Sequence, residues 1–220
     1  MERIHAVTFA PFCARGTFEK EETRQSLKLM KEKTGANYVI FAPNGVQKTA
    51  FSEHIDYRTK RNVSDEELTA MITCAKQLGL KVALKPTANC EDGTWRAHIN
   101  FFDEDVVCEP KWSNWFASYR AFQEHYAGLA QQCGVDLFIA GCEMVQAERR
   151  EAEWREVIAA IRRKYDRPVS YNTDKYQEHN VKWWDAWHGD GRNPVKRGDY
   201  EVYGKAAADI IYRKFSQVSE

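Results

Sequence analysis

The sequence predicts an α/β fold of the TIM (β/α)8-barrel type that is incomplete, with about five clear βα units and a closing helix. Short runs rich in β-branched and aromatic residues alternate with amphipathic runs of helical length, which is the pattern of a parallel sheet. Polar and aromatic residues gather directly after these runs, as they do at the C-terminal face of a barrel. The alternative, a doubly wound open sheet, is disfavoured because no glycine-rich phosphate loop follows a strand.

The predicted strands and helices alternate along the chain. Strands are expected at residues 4–12, 37–42, 80–84, 137–140 and 168–171, and helices at 19–33, 64–78, 111–133, 151–164 and 204–215. The second helix has the clearest start, because Ser64 and Glu67 form an S-x-x-E capping box ahead of an apolar stripe. Helical spacing in the third helix predicts core packing for Trp115, Tyr119, Phe122, Tyr126 and Leu129. The long segments 43–63 and 86–110 are expected to be functional loops.

Composition narrows the class of protein. The chain has 220 residues, 43% of them hydrophobic, which predicts one domain over residues 1–220. Thirty-two basic residues balance thirty-two acidic ones, so a neutral partner is expected, with no nucleic acid and no membrane. The first residues lack the apolar core of a signal peptide, which predicts a cytoplasmic location, or a secreted one only if a leader was removed. Six widely spaced cysteines are expected to be buried free thiols.

The chain is short for a complete barrel, which typically takes about 250 residues. Between residues 171 and 204 the sequence shows only polar and aromatic loop material where three further strands are expected. An open barrel of this kind exposes parallel sheet edges that can pair with another chain. The sequence therefore predicts a homodimer through an exposed sheet edge.

Glu143 is the candidate for proton transfer. It follows the apolar and small residues 138–142 at the end of the fourth predicted strand, where a carboxylate has no helix-face reason to exist. Partial loss of hydration there favours the protonated carboxyl group, which suits Glu143 to donate a proton to a leaving oxygen. The alternative is an ion pair with a neighbouring Lys or Arg, such as Lys85.

The seven tryptophans are many for this length. Sugar rings stack their apolar C–H faces on indoles while their hydroxyl groups bind amides, carboxylates, lysines and histidines. Trp95 lies in a polar loop close to His98, which indicates a sugar site. Trp115 and Trp154 have helical spacing and are expected in the core, whereas Trp184 fits both a binding platform and packing at the barrel rim.

Other chemistries find less support in the sequence. Six histidines could supply imidazole ligands, but no H-x-H, H-E-x-x-H or Cys/His cluster is present, so a metal-dependent hydrolase is the weaker alternative. No G-x-S-x-G elbow is present for serine catalysis. Cys142 adjoins Glu143, but no histidine is evidently placed to activate it. No cofactor and no metal are therefore predicted.

Several motifs together resemble one family of glycoside hydrolases. They are the runs V-T-F-A-P-F (7–12), F-A-P-N-G (41–45), L-K-P-T (84–87), G-T-W-R-A-H-I (93–99), I-A-G-C-E-M (139–144) and S-Y-N-T-D-K-Y (170–176). Over residues 3–185 the chain resembles glycoside hydrolase family 113, and the W-R-A-H and G-C-E-M blocks are its most specific features. The resemblance implies a TIM-barrel β-mannanase that cleaves β-1,4-linked mannose chains with retention of anomeric configuration.

The resemblance also implies the roles of two carboxyl groups. The family's acid/base glutamate maps onto Glu143, whereas its nucleophilic glutamate comes from the end of the seventh strand, for which this chain has no matching segment. Residues 199–206 resemble the family's last loop and closing helix, so the sixth, seventh and most of the eighth strand are inferred to be absent. A retaining glycosidase needs a second carboxyl group about 5 to 5.5 Å from the first. The nearest candidates are Asp174, Glu178 and Asp185.

The leading hypothesis is a retaining endo-β-1,4-mannanase-like hydrolase that acts on a neutral β-linked oligo- or polysaccharide with Glu143 as general acid/base. The residues expected to line its sugar site are Asn44, Lys85, Asn89, Trp95, His98, Asn172, Tyr176 and Trp184. The alternative of a different class is a non-catalytic carbohydrate-binding or vestigial barrel that lacks the nucleophile.

Overall fold

A computed structural model describes residues 3–172 and contains a parallel five-stranded sheet in the order β1-β2-β4-β6-β7. Four helices connect or follow its strands, which confirms the predicted alternation and the barrel-type α/β class. The strands are β1 (Ala6–Thr8), β2 (Tyr38–Phe41), β3 (Asn44–Gln47), β4 (Lys81–Leu84), β5 (Thr87–Cys90), β6 (Leu137–Cys142) and β7 (Val169–Asn172). The helices are α1 (Glu21–Thr34), α2 (Asp65–Gln77), α3 (Trp112–Gln132) and α4 (Glu151–Lys164). The predicted closing helix, 204–215, lies outside the described residues, and the single domain over 1–220 stays a prediction.

Helix α2 begins at the predicted capping box. The Ser64 hydroxyl accepts a hydrogen bond from Glu67 N, and the Glu67 carboxylate accepts one from Ser64 N. Glu67 Oε1 also accepts hydrogen bonds from Gly16 N at 2.7 Å and Phe18 N at 3.2 Å. The buried carboxylate therefore fixes the loop after β1 against the start of α2. In residues 3–172, no helix combines the length and the apolar composition that crossing a bilayer requires.

Two prolines divide the barrel strands that lead to the site. β2 and β4 both stop before a proline, and the chain then continues as β3 and β5, which pair in parallel as a separate two-stranded sheet. Proline lacks a backbone N–H, so it interrupts a strand ladder, and Pro43 lies beside Pro86 in register because Phe41 pairs with Leu84 and Asn44 with Thr87. The sequence pattern predicts loops over residues 43–63 and 86–110 and does not predict this small sheet. It carries Asn44 and Asn89 beyond the ends of β2 and β4.

The first strand is shorter than predicted. It spans Ala6–Thr8 rather than residues 4–12, because Ala10 with a φ of 40° and Phe12 with a φ of 59° adopt left-handed backbone conformations. An extended strand cannot pass through such residues. The chain turns at the sheet edge instead, and Phe12 lies partly exposed there.

Helix α3 supplies the aromatic part of the core. Trp115, Tyr119, Phe122 and Tyr126 are at most 1% exposed, as predicted, whereas Leu129 is only partly buried. Trp115 and Tyr119 stack with ring centroids 4.9 Å apart. The Tyr119 hydroxyl donates to Ala140 O at 2.8 Å, which ties α3 to β6 close to Glu143. Burial raises the pKa of Tyr119 above its ordinary value, so this hydroxyl remains a donor.

The six cysteines are all free thiols, as expected from their spacing. Cys90 and Cys142 are buried, and Cys13 is partly buried. Cys108 is exposed, so the prediction of burial is wrong for this residue. It has a φ of 65° in the loop before α3, outside the packed elements.

Candidate functional site

Polar residues lie together beyond the C-terminal ends of the parallel strands: Asn44 follows β2, Asn89 follows β4, Glu143 follows β6 and Asn172 ends β7. Asn89 Nδ2 donates to Asn44 Oδ1 at 2.7 Å, which connects β5 to the first residue of β3. Glu143 N donates to Asn172 O at 2.9 Å, which connects the residue after β6 to the end of β7. The predicted site residues Tyr176 and Trp184 lie outside the described part of the chain, as do Asp174, Glu178 and Asp185.

Glu143 occupies a strained position directly after β6. Its φ is 55°, in the left-handed region that costs a residue with a side chain about 1–2 kcal/mol. Backbone strain of this kind collects at functional sites when the surrounding contacts maintain it. The contact from Glu143 N to Asn172 O is one of them. The side chain of Glu143 remains 33% exposed, so a ligand can reach its carboxylate.

The carboxylate of Glu143 forms an ion pair with Arg96. Arg96 Nη1 donates to Glu143 Oε2 at 2.5 Å, and the same oxygen accepts a hydrogen bond from Trp95 Nε1 at 3.3 Å. The sequence suggests Lys85 as an ion-pair partner of Glu143, but the partner in the structure is Arg96, which lies in a short 3-10 helix, Arg96–His98, in the loop after β5. Arg96 was missed as a functional residue, although it stands inside the W-R-A-H block. This charge-assisted hydrogen bond orients the Glu143 carboxylate.

Asn89 fixes the guanidinium group of Arg96. Asn89 Oδ1 accepts hydrogen bonds from Arg96 Nη2 at 2.8 Å and from Nε at 3.2 Å. Asn44 in turn accepts from Asn89, and Asn44 N donates to Asn62 Oδ1 at 2.7 Å. The Arg96 side chain is only 11% exposed. These amide groups therefore hold Arg96 in place, and direct sugar binding by Asn44 and Asn89 would compete with their mutual hydrogen bond.

Trp95 and His98 form the open side of the site. The Trp95 residue is 37% exposed, and its ring meets the His98 ring edge-on with centroids 5.8 Å apart. His98 is exposed in the same short helix as Arg96. An indole that donates one hydrogen bond to a carboxylate while exposing much of its surface is suited to stack against a sugar ring beside that carboxylate.

Cys142 and Asn172 lie beside Glu143 and contact each other. Asn172 Nδ2 donates to Cys142 Sγ at 3.3 Å. Burial raises the pKa of the Cys142 thiol, and the Glu143 carboxylate acts in the same direction, whereas the charge of Lys85 opposes it. The thiol is therefore neutral near pH 7, which does not favour a nucleophilic role for Cys142.

A separate cavity lies near the start of α2. It has a volume of about 170 Å³ and is lined by Arg15, Tyr57, Asp65, Glu66 and His125, and Glu143 does not line it.

Across residues 3–172, no group of three or more His, Cys, Asp or Glu side chains is arranged to hold a metal ion.

Comparison with known proteins identifies the family. The model of glycoside hydrolase family 113 matches residues 7–191, well over half of the chain. The chain belongs to glycoside hydrolase family 113. This places Glu143 and Arg96 inside the family-matched region. A comparison with curated proteins gave no match.

Solved family-113 structures resemble the chain closely. A β-1,4-mannanase of family 113 is 53% identical with a TM-score of 0.80, over 84% of this chain and 60% of that one. A family-113 β-mannanase from Alicyclobacillus acidocaldarius, in complex with ManMIm, is 40% identical with a TM-score of 0.76, over 84% and 59%. This family-113 chain thus spans about 60% of the length of these relatives.

A more distant structure supports the fold class alone. An endoglucanase from Pseudomonas stutzeri is 13% identical with a TM-score of 0.50, and the match covers 97% of this chain and 72% of that one. Family membership and this likeness agree with a TIM-type barrel, of which residues 3–172 provide five strands.

Proposed function

We propose that the chain is a retaining endo-β-1,4-mannanase-type glycoside hydrolase in which Glu143 is the general acid/base. The observation that carries the proposal is the position of Glu143 directly after β6. Its side chain is 33% exposed, and its carboxylate accepts a hydrogen bond from the indole of Trp95. The described mannanase function of the family-113 relatives supports the choice of substrate. A neutral β-linked mannose chain also suits a protein without net charge.

In this mechanism Glu143 acts twice. Its protonated carboxyl group first donates a proton to the glycosidic oxygen, and its carboxylate then accepts a proton from the water that completes hydrolysis. Arg96 Nη1 and Trp95 Nε1 both donate to Oε2 of Glu143, and these contacts orient the carboxyl group for both steps. His98, Lys85 and Asn172 are proposed as sugar ligands around the acid, and Tyr176 and Trp184 stay predictions.

The proposal requires a second carboxyl group about 5 to 5.5 Å from Glu143 as nucleophile. Within residues 3–172 the Glu143 carboxylate contacts Arg96 and Trp95. The candidates Asp174, Glu178 and Asp185 follow β7 in sequence. If none of them acts as a nucleophile, the same site would bind β-mannan without cleaving it, which is the second candidate function.

The test is release of reducing ends from β-mannan and mannohexaose. The native chain is expected to release them, and Glu143→Gln is expected to lose about 10²-fold or more, because general acid catalysis contributes about 10²–10⁴-fold. Glu156→Gln is the matched control, since it alters a glutamate that pairs with Arg120 on the helices. Turnover that survives Glu143→Gln would remove Glu143 from the mechanism. Binding of mannohexaose without turnover by the native chain would favour the non-catalytic function.

A further inference from the structure

Phe12 has an exposed ring on a strained backbone. The residue is 39% exposed, whereas Phe9, Phe18 and Phe41 nearby are at most 5% exposed. Its φ of 59° lies in the left-handed region, which is unfavourable for a bulky residue. Core packing does not explain why a large aromatic side chain is partly exposed to water on a residue with an unfavourable backbone conformation.

The contacts of Phe12 place it at the proposed catalytic centre. The guanidinium carbon of Arg96 lies 5.6 Å from the centroid of the Phe12 ring, and Arg96 Nη1 reaches Glu143 Oε2 at 2.5 Å. Phe12 N donates to Ala42 O at 3.3 Å, which fixes the residue beside the end of β2. Trp95 contacts the same Glu143 oxygen. Two partly exposed aromatic side chains therefore lie close to the Glu143 carboxylate: Trp95 contacts it directly, and Phe12 contacts Arg96, which contacts it.

We propose that Phe12 is a sugar-stacking residue that, together with Trp95, binds a pyranose ring of a neutral β-linked oligosaccharide next to the bond reached by Glu143. The proposal rests on the proposed function and adds a binding residue to it. The apolar C–H face of a pyranose covers an aromatic ring and removes both surfaces from water. A phenyl ring also loses little side-chain entropy on binding, because it has only two torsions. The stacked Arg96 limits that freedom further before the sugar arrives.

Other exposed apolar residues lack this connection. Phe51, Phe102 and Val107 are 66%, 60% and 86% exposed, but they lie in the loops before α2 and α3 and belong to neither the Arg96 nor the Trp95 contacts described above. Exposed apolar residues that occur singly need no functional explanation. Phe51 therefore provides the matched control for removal of an exposed phenyl ring.

The test measures mannohexaose binding by calorimetry in the full chain carrying Glu143→Gln, so that hydrolysis does not consume the ligand. Phe12→Ala and Phe12→Gly are expected to raise the Kd about tenfold. Phe12→Trp is expected to have a Kd within about threefold of that of the parent with Phe12. Phe51→Ala is expected to leave the Kd unchanged. Thermal melting separates binding from folding: Phe12→Gly should melt above Phe12→Ala, because glycine adopts a φ of 59° without strain. Both variants should nevertheless bind equally weakly.

A Kd unchanged by Phe12→Ala would overturn the proposal. So would normal binding by Phe12→Gly, because binding would then follow backbone strain rather than the ring, and so would the absence of binding by the Glu143→Gln parent. Hydrolysis by chains with intact Glu143 separates this inference from the proposed function. Binding that depends on Phe12 but is not followed by hydrolysis would support sugar stacking by Phe12 and reject the hydrolase function. Hydrolysis with an unchanged KM in Phe12→Ala would support the hydrolase function and reject sugar stacking by Phe12.

Discussion

Gly141, two residues before Glu143, lies where three aromatic side chains leave no room for another atom. A Cβ added there would lie 2.6 Å from Tyr171 Cε2, 2.9 Å from Trp154 Cη2 and 3.0 Å from the Tyr119 hydroxyl. These rings pack against one another, with centroids 5.5 Å apart for Tyr119 and Trp154 and 5.3 Å apart for Trp154 and Tyr171. They cannot move independently, and the Tyr119 hydroxyl also donates to Ala140 O. Gly141→Ala is therefore expected to lower the free energy of unfolding by about 1–3 kcal/mol.

The assay is thermal melting followed by circular dichroism, with Gly128→Ala as the matched control. About 1 kcal/mol shifts the melting temperature of a chain of this size by roughly 2–4 °C, so Gly141→Ala should melt about 2–12 °C lower. Gly128 lies within α3 and has no atom within 4 Å of an added Cβ. Its replacement by alanine should raise the melting temperature by about 2–4 °C, because alanine favours a helix by about 1 kcal/mol.

Equal melting temperatures for Gly141→Ala and the native chain would refute the packing argument. A loss of stability as large in Gly128→Ala as in Gly141→Ala would do the same, because it would show that backbone effects, not contacts, set the result. Gly141→Ala should also weaken mannohexaose binding, since Met144 N donates to the Tyr171 hydroxyl and a displaced Tyr171 moves the residue next to Glu143.

Arg96→Gln is expected to lower kcat/KM for mannohexaose about tenfold or more, because the Glu143 carboxylate then loses the charge-assisted hydrogen bond that orients it. Arg120→Gln, on the outer helices, should leave kcat/KM unchanged, and an unchanged kcat/KM in Arg96→Gln would contradict the role of Arg96. Burial raises the pKa of both Cys13 and Cys90 from 9.0 to about 11, so the unfolded chain loses these thiol protons first. Stability should therefore be constant just below pH 9 and fall between about pH 9 and 11, and a urea midpoint equal at pH 8.5 and 10.5 would argue otherwise.

The sequence predicted those features that depend on local patterns. The capping box of Ser64 and Glu67 is formed by residues three apart, and the structure contains both of its hydrogen bonds. The alternation of strands and helices also follows from local hydrophobic periodicity. Glu143 could be singled out because a carboxylate directly after an apolar strand is conspicuous in the sequence, and the structure places it at the edge where the strand ends meet.

Features that depend on distant contacts were not predictable. Arg96 reaches Glu143 across 47 positions of sequence, and a basic residue in a polar loop gives no sign of such a partner. Phe12 is predicted as the end of a strand because nothing in a hydrophobic sequence run indicates a left-handed φ. The placement of Pro43 beside Pro86 depends on the register between two strands, which the pattern of a single strand does not reveal. The homodimer and the cytoplasmic location stay predictions.

Glu143 is proposed to deliver the proton to the departing sugar oxygen. The most direct measurement compares Glu143→Ala with the native chain on two substrates: mannohexaose, whose leaving group needs a proton, and a 2,4-dinitrophenyl β-mannobioside, whose leaving group does not. Formation of the glycosyl-enzyme is expected to slow about 10²–10⁴-fold with mannohexaose and only slightly with the aryl glycoside. An equal loss on both substrates would contradict it.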